Sequence, residues 1–460
     1  MNREATTRWL VPVLSLTGML SSLQFTLFLP TLPEIPAALS VSANDATWVI
    51  TVTLLTSTAG GPVIGRLADL YGKRRVLLVS MVLLVLGSLI GALGATFVAV
   101  VVGRALQGLA ATVIPLGISI LREALGREKS NSGIGFMSAT VGIGSALGLP
   151  LSGILYELGG LTAIFWFSAV SGLIVLALVF FVTPHSPDSY DGRFDVSGAI
   201  LLSILLTAVL IAISKGLVWG LGSTSFFTVL AVIGVTLPLW LARSFTTSEP
   251  IVDLRLSFSG PVVLINTASF FVSFGMFANH FLTIHEARAP SGTVIGLGLP
   301  AITAGLILLP ATLALITLAP IAGKLINRFG GKFTLALGST IIAGAYVFRL
   351  VAHEGVVIVT VGAFLVGVGS AFAFTAMPTL INDAVPVHQL ASANSINTVA
   401  RSLSGSIVSA ILAFLIVATP NPVDSDFISQ WGLMLSFGVT ATLALASVTL
   451  TLALPKQSHT

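Results

Sequence analysis

Long apolar stretches alternate with short polar links along the whole chain. A helix that crosses a bilayer needs about 20 predominantly apolar residues. Stretches of that kind fall at 9–30, 46–64, 75–97, 99–121, 133–155, 162–183, 196–214, 224–242, 261–284, 300–322, 333–352, 355–382, 392–418 and 430–454, fourteen in all. The pattern predicts an all-α membrane protein. The first stretch follows Arg3 and Arg8. It is too long for the apolar region of a signal peptide and lacks a clear cleavage site, so it is expected to be a retained helix.

Composition narrows the class. The chain has 460 residues, 55% hydrophobic and only 8% charged, with a mean hydropathy of +1.03. A soluble protein carries about 25% charge, so a water-soluble enzyme and a disordered chain are both excluded. With no cysteine, disulfides, thiolate metal sites, iron–sulfur clusters and cysteine nucleophiles are excluded too. The net charge of +4 could point to nucleic acid, but the basic residues follow membrane topology instead. With a cytoplasmic N-terminus, Lys215, Arg288 and Arg349 fall outside, Arg104 and Arg401 fall within spans, and every other Lys and Arg, Arg255 and Lys456 included, is cytoplasmic. Both termini are therefore expected inside.

Two links resemble each other. The second span is followed by Gly65-Arg66-Leu67-Ala68-Asp69-Leu70-Tyr71-Gly72-Lys73-Arg74-Arg75, and the tenth by Gly323-Lys324-Leu325-Ile326-Asn327-Arg328-Phe329-Gly330-Gly331-Lys332. Each has a glycine, a leucine two residues later, and a second glycine leading into basic residues. Spans four and twelve correspond loosely, Gly108–Pro115 against Ala371–Pro378. A repeat offset by eight spans fits two six-helix halves with two spans inserted between them. The expected boundaries are 1–183 for the first bundle, 184–255 for the linker and inserted pair, and 256–460 for the second bundle.

At these residues the chain resembles the major facilitator superfamily. Gly65, Asp69, Gly72, Lys73 and Arg74 match its signature loop, with Leu70 where a basic residue is common. Gly103-Arg104-Ala105-Leu106-Gln107-Gly108 resembles its fourth-helix motif, whose arginine is implicated in proton coupling. Gly142, Gly144, Gly148, Pro150 and Gly153 resemble its antiporter motif, with Leu149 and Ile154 where glycines are usual. With the linker Glu249-Pro250-Ile251-Val252-Asp253-Leu254-Arg255, these motifs are similar to those of the fourteen-helix drug:proton antiporters of actinobacterial type. That resemblance implies a major facilitator fold and export of lipophilic small molecules such as antibiotics across the plasma membrane, driven by protons, by a monomer without cofactor or metal. A facilitator or importer of another solute is the alternative. A non-transporting sensor would need neither the repeated loops nor Arg104.

Each candidate residue also has its own chemistry. Asp69, at a helix junction beside three cations, is placed to pair with them or to cap a neighbouring helix N-terminus, which would lock the inner side. Lys73, Arg74 and Arg75 serve at least as topology anchors. The span-five glycines allow close helix approach. At about 1.5 Å per residue, Gln24 and Arg104 both lie roughly 9 Å from the outer edge of their spans. A deep arginine costs about 2.5–3.5 kcal/mol and normally faces a watery cavity. Asn394, Asn397 and Arg401 share one face of span thirteen, and Asn266, Ser269, Ser273, Phe277 and His280 share one face of span nine. Both faces are expected to line a cavity, with polar contacts between helices as the other reading.

The chain departs from the antiporter pattern in one respect. Aligned on Leu32-Pro33, the position that usually carries an acid in the first helix is Gln24, and no carboxylate falls near a membrane midplane. Proton coupling is therefore expected at a rim carboxylate such as Glu34, or at His280. With Arg104 and Arg401 as the nearest fixed charges, the cavity is expected to favour neutral, zwitterionic or anionic compounds. Zinc-protease spacing is missing after His285-Glu286 and His353-Glu354, and there is no phosphate-cradling Gly-Lys-Ser/Thr loop, so neither hydrolysis nor ATP drive is expected.

Overall fold

The computed structural model describes residues 3–28, 31, 34–94, 96–184, 192–220, 222–254, 260–293, 296–352, 355–424 and 427–455. Leu32, Pro33, Arg255, His353, Glu354 and Lys456 lie outside the described residues, and so do the side chains of Arg3, Arg8 and Pro150.

The described chain is helical throughout, with one isolated bridge between Pro420 and Ile428 and no strand among the described residues. Apolar surroundings dictate this, because a backbone without water must satisfy its own N–H and C=O groups and a helix does so within one segment. Twelve helical stretches among the described residues are long and apolar enough to cross a membrane. Two helices contain glycine breaks. Val113–Val182 departs from helical geometry at Gly126, Gly159 and Gly160, and Leu309–Val351 at Gly330. Gly126, Gly160 and Gly330 have φ of 73°, 63° and 88°, values a side chain would disfavour. Gly72 has φ 95° and divides Trp48–Tyr71 from Lys73–Gly94. Gly72 and Gly330 are the second glycines of the two similar links.

Several helices run past the apolar stretches that announced them. Trp48–Tyr71 extends seven residues beyond 64, through Arg66 and Asp69. The polar ends continue because their charges find partners, described below. The first helix, Arg3–Thr26, stops short of residue 30, and a short helix, Ile35–Leu39, follows.

The chain forms two compact units. The first comprises 1–209, 232–257 and 385–399. One of its cores joins Leu14, Leu77, Leu116, Leu121, Ile134 and Met137; another surrounds Leu27, Phe28, Val49, Ile164 and Phe165. A third, around Ala199, Leu202, Trp240, Ile251 and Val252, brings the stretch after Thr224–Thr246 against Val63 and Ile396. The second unit comprises 210–231, 258–384 and 400–460. In it Gly260–Arg288 packs against Val356–Ala384 and Gln430–Ala453. Phe181, Val357 and Trp431 are 70%, 74% and 70% exposed. Such apolar surface is tolerable in lipid, where it costs nothing to leave uncovered.

Candidate functional site

Asp69 lies in the last turn of Trp48–Tyr71 and is 6% exposed. Its Oδ1 accepts the Ala391 N–H at 3.1 Å, and its Oδ2 accepts the Ser392 N–H at 2.9 Å and the Ser392 hydroxyl at 2.6 Å. Ala391 and Ser392 open the helix Leu390–Ala418, after the 3-10 turn Val387–Gln389. The first N–H groups of a helix have no partner within it and carry partial positive charge. A buried carboxylate satisfies both needs at once. The approach is close, because a Cβ on Gly65 would meet Ala391 O at 2.9 Å and Ser395 Oγ at 2.5 Å.

Two cations complete the junction. Lys73 Nζ donates to Glu123 Oε2 at 3.2 Å and to Val387 O at 3.4 Å, and is itself buried. Arg66 Nη2 donates to Glu249 Oε2 at 3.2 Å, and the same oxygen accepts the Arg193 N–H at 2.7 Å. The Glu249 linker is thereby held to the span that carries Asp69. Sequence reasoning missed Glu123, Glu249 and Ser392 as partners; the one available signal was that each acid ends or follows a span beside basic residues.

Arg74 does something different. It donates to Phe180 O at 2.6 Å, among the last carbonyls of the helix ending at Val182. In the second unit Lys332, at the matching place of the similar link, donates to Leu452 O at 2.8 Å and Leu454 O at 2.6 Å, at the end of Gln430–Ala453. Both cations cap helix C-termini.

Arg104 is fully buried on Phe97–Leu109. Its Nε donates to Val49 O at 3.0 Å, and its Nη1 donates to Gln24 O and Gln107 Oε1, both at 2.9 Å. The guanidinium carbon lies 4.3 Å from the Phe28 ring centroid. Gln107 Nε2 donates to Ser88 Oγ at 2.8 Å, and Ser168 Oγ donates to Gln24 Oε1 at 3.0 Å. Arg104 Nη2 and Gln24 Nε2 are left without an acceptor among the described residues. Gln24 and Arg104, read at matching depth, meet through the main-chain oxygen of Gln24. Gly148 is buried against Thr26, and Gly144 O lies 3.4 Å from the Thr26 hydroxyl, so the fifth helix touches the first closely. Gly153 is exposed.

Glu34 is exposed beside Ile35–Leu39 and its side chain makes no cap bond there. On Gly260–Arg288, Ser269 and Ser273 are wholly buried while Asn266, Phe277 and His280 are half-buried. Asn394 and Asn397 are buried, and Asn394 Nδ2 donates to Leu390 O at 2.8 Å. Arg401 lies over the Phe374 ring at 3.9 Å.

The sequence matches the Major Facilitator Superfamily over residues 14–409. It is 28% identical over 398 residues to the multidrug resistance protein Stp of Mycobacterium tuberculosis, covering 84% of this chain and 72% of that one. It is 27% identical over 403 residues to the tetracenomycin C resistance and export protein of Streptomyces glaucescens, covering 86% and 73%. Its fold matches the human organic anion transporter MFSD10 with a TM-score of 0.69 at 14% identity, covering 97% and 99% of the two chains. The proton:xylose symporter XylE also matches at 0.69, with 13% identity, 99% of this chain and 97% of the other.

Proposed function

Because the chain belongs to the major facilitator superfamily, whose members move solutes across membranes, we propose that it exports hydrophobic or amphipathic small molecules, antibiotics among them, in exchange for protons. It is a multi-pass protein of the plasma membrane and a transporter rather than an enzyme. The names of its relatives Stp and the tetracenomycin C export protein support the drug class. The proposed arrangement is a monomer of fourteen spans with both termini cytoplasmic, divided into bundles at 1–183 and 256–460 around an inserted pair at 184–255.

The observation that carries this reading is the Asp69 junction. Its three hydrogen bonds to the start of Leu390–Ala418 form a lock that must break for the inner side to open. A coupling of this kind is worth about 1–3 kcal/mol, a range that is strong enough to bias a conformer and weak enough to reverse. Gly65, Gly72, Lys73 and Arg74 shape and anchor that lock, and Gly148 keeps the fifth span packed against the first during the cycle, with Pro150 and Gly153 as the rest of that motif. Gln24, Arg104, Asn266, His280, Asn394, Asn397 and Arg401 serve coupling and substrate contact, with Glu34 at the rim. With arginines as its deep fixed charges, the protein prefers neutral, zwitterionic or anionic compounds to permanent cations.

One proton moving down 100 mV supplies about 2.3 kcal/mol, enough for roughly a fifty-fold gradient. Expression in a pump-deficient host lowers accumulation of at least one lipophilic drug, and an uncoupler restores it. Paired efflux of neutral chloramphenicol and cationic ethidium tests the charge preference. Drug uptake that rises with expression, or efflux indifferent to an uncoupler, overturns antiport.

A further inference from the structure

Within the second unit, Arg349 and Glu286 form an ion pair through Nη2 and Oε2, and both side chains are 1% exposed. Sequence topology placed Arg349 on the outer side, yet neither side chain meets solvent. A buried ion pair seldom adds net stability, because desolvating two charges offsets their attraction. Ionisable groups inside a membrane protein are therefore candidates for function.

The surroundings let the carboxylate be neutralised without abandoning the arginine. Arg349 Nη1 also donates to Thr283 Oγ1 at 2.9 Å and to Asn279 Oδ1 at 3.4 Å, and its guanidinium lies 4.4 Å from the Phe437 ring centroid. Asn279, Thr283 and Glu286 occupy one face of Gly260–Arg288, so the cation keeps two acceptors and an aromatic face when the acid is neutral. Gly362 makes room, since a Cβ there would meet Arg349 Cγ at 2.6 Å.

The position also suits exchange with water. Glu286 is two residues from its helix end, about 3 Å along the axis. Leu297 N returns to bond Glu286 O at 3.2 Å, and Leu297 and Leu299 pack with Ile284 and Ala287, so a returning segment lies against the helix end that carries Glu286.

Few other ionisable groups are near. On the same helix His285 accepts the Ile428 N–H at 2.7 Å and Arg288 is exposed. On 331–351 Tyr346 donates to Gly275 O at 2.5 Å. Gln430–Ala453 and Ala301–Ile307 contain no ionisable residue, and Val356–Ala384 has Asp383 alone, at its C-terminal end. The segment 419–424 contributes Asp424.

We propose that Glu286, paired with Arg349, binds and releases the coupling proton that Gln24 cannot carry. This rests on the antiport reading above. A proton from water bonds to Oε2 and the contact with Nη2 opens, with Arg349 remaining protonated on Thr283 and Asn279. On release the O–H bond breaks, the proton returns to water, and the pair re-forms.

Infrared difference spectroscopy of the full chain in lipid nanodiscs, taken from acid to alkaline pH, uses the proton itself as the probe. The carboxyl C=O band of a buried acid is expected in the unmodified protein, lost in Glu286→Gln and displaced in Glu286→Asp. Superimposable spectra for the unmodified protein and Glu286→Gln overturn the proposal. If Glu286→Gln does not fold, an undisplaced band in Glu286→Asp overturns it. In cells, uncoupler-sensitive efflux of chloramphenicol falls to the empty-vector level with Glu286→Gln, and efflux equal to the parent overturns the coupling role. A parent without uncoupler-sensitive efflux of any compound sinks the antiport reading itself, while the titrating band still decides whether Glu286 is a proton site.

Discussion

Two arginines among the described residues are fully enclosed, and they are held in opposite ways. Arg104 and Arg349 are 0% and 1% exposed, and each lies over an aromatic ring, Phe28 at 4.3 Å and Phe437 at 4.4 Å. Arg104 is satisfied by neutral oxygens of Val49, Gln24 and Gln107. Arg349 is satisfied by Thr283, Asn279 and the carboxylate of Glu286. The first site keeps a fixed positive charge whatever its neighbours do. The second is neutral as a pair and gains charge on taking up a proton. Burial by itself thus says little about an arginine's role; the chemistry of its acceptors separates a fixed charge from one that can be switched.

The strongest way to break this comparison is to remove the anion. Glu286→Ala leaves Arg349 buried without a counter-charge, and losing one partner of a buried pair costs about 3–5 kcal/mol. A large fall in thermal stability of the purified protein is expected, read by fluorescence-detected unfolding. Joint replacement by Glu286→Leu and Arg349→Met should recover stability and leave proton-driven efflux lost. Recovery of efflux along with stability would show that the pair is only structural.

A smaller effect is expected at Asp69, another buried carboxylate, which accepts its hydrogen bonds from neutral donors. Asp69→Asn removes the charge from a helix N-terminus and keeps the shape, shifting the inner-side equilibrium by about 1–3 kcal/mol, or roughly 5–150-fold. Because the chain has no cysteine, Ser395→Cys beneath Gly65 gives a clean reporter. Its maleimide labelling should accelerate in the Asp69→Asn background while membrane insertion is unchanged. Unaltered labelling and normal efflux would retire the lock.

Gln24→Glu turns the first arginine site into a likeness of the second, giving Arg104 Nη2 an acidic acceptor. About 1.4 kcal/mol of altered preference is a tenfold change, and a shift of roughly that size toward ethidium over chloramphenicol is the expected result. An unchanged ratio would detach Arg104 from substrate charge selection.

The smallest change is expected at Arg74, which caps a helix end near solvent. Arg74→Ala removes an interaction of about 0.3–1 kcal/mol and should leave efflux close to the parent level. Loss as deep as that of Asp69→Asn would move Arg74 from anchoring into the lock itself.

The membrane class, the helical content, the similar links and the places where Asp69 and Arg104 sit were all legible along the chain. Each depends on local facts: an apolar run long enough to span, a glycine before basic residues, an arginine too deep to be ordinary. Gly72 and Gly330 could be found this way because a sharp turn between helices needs their backbone freedom. The partners were not legible. Asp69 meets Ser392 across 323 positions and Arg349 meets Glu286 across 63. Nothing in the spacing of either residue selects the other. The stripe read on Gly260–Arg288 ran through Asn266 and His280, while the arginine is held by Asn279, Thr283 and Glu286 on another face of the same helix. Helical period gives every polar residue a face, but only packing against Arg349 and Phe437 decides which face is closed from water. That enclosure turned Glu286, a carboxylate two residues from a helix end, into a buried charge paired with Arg349.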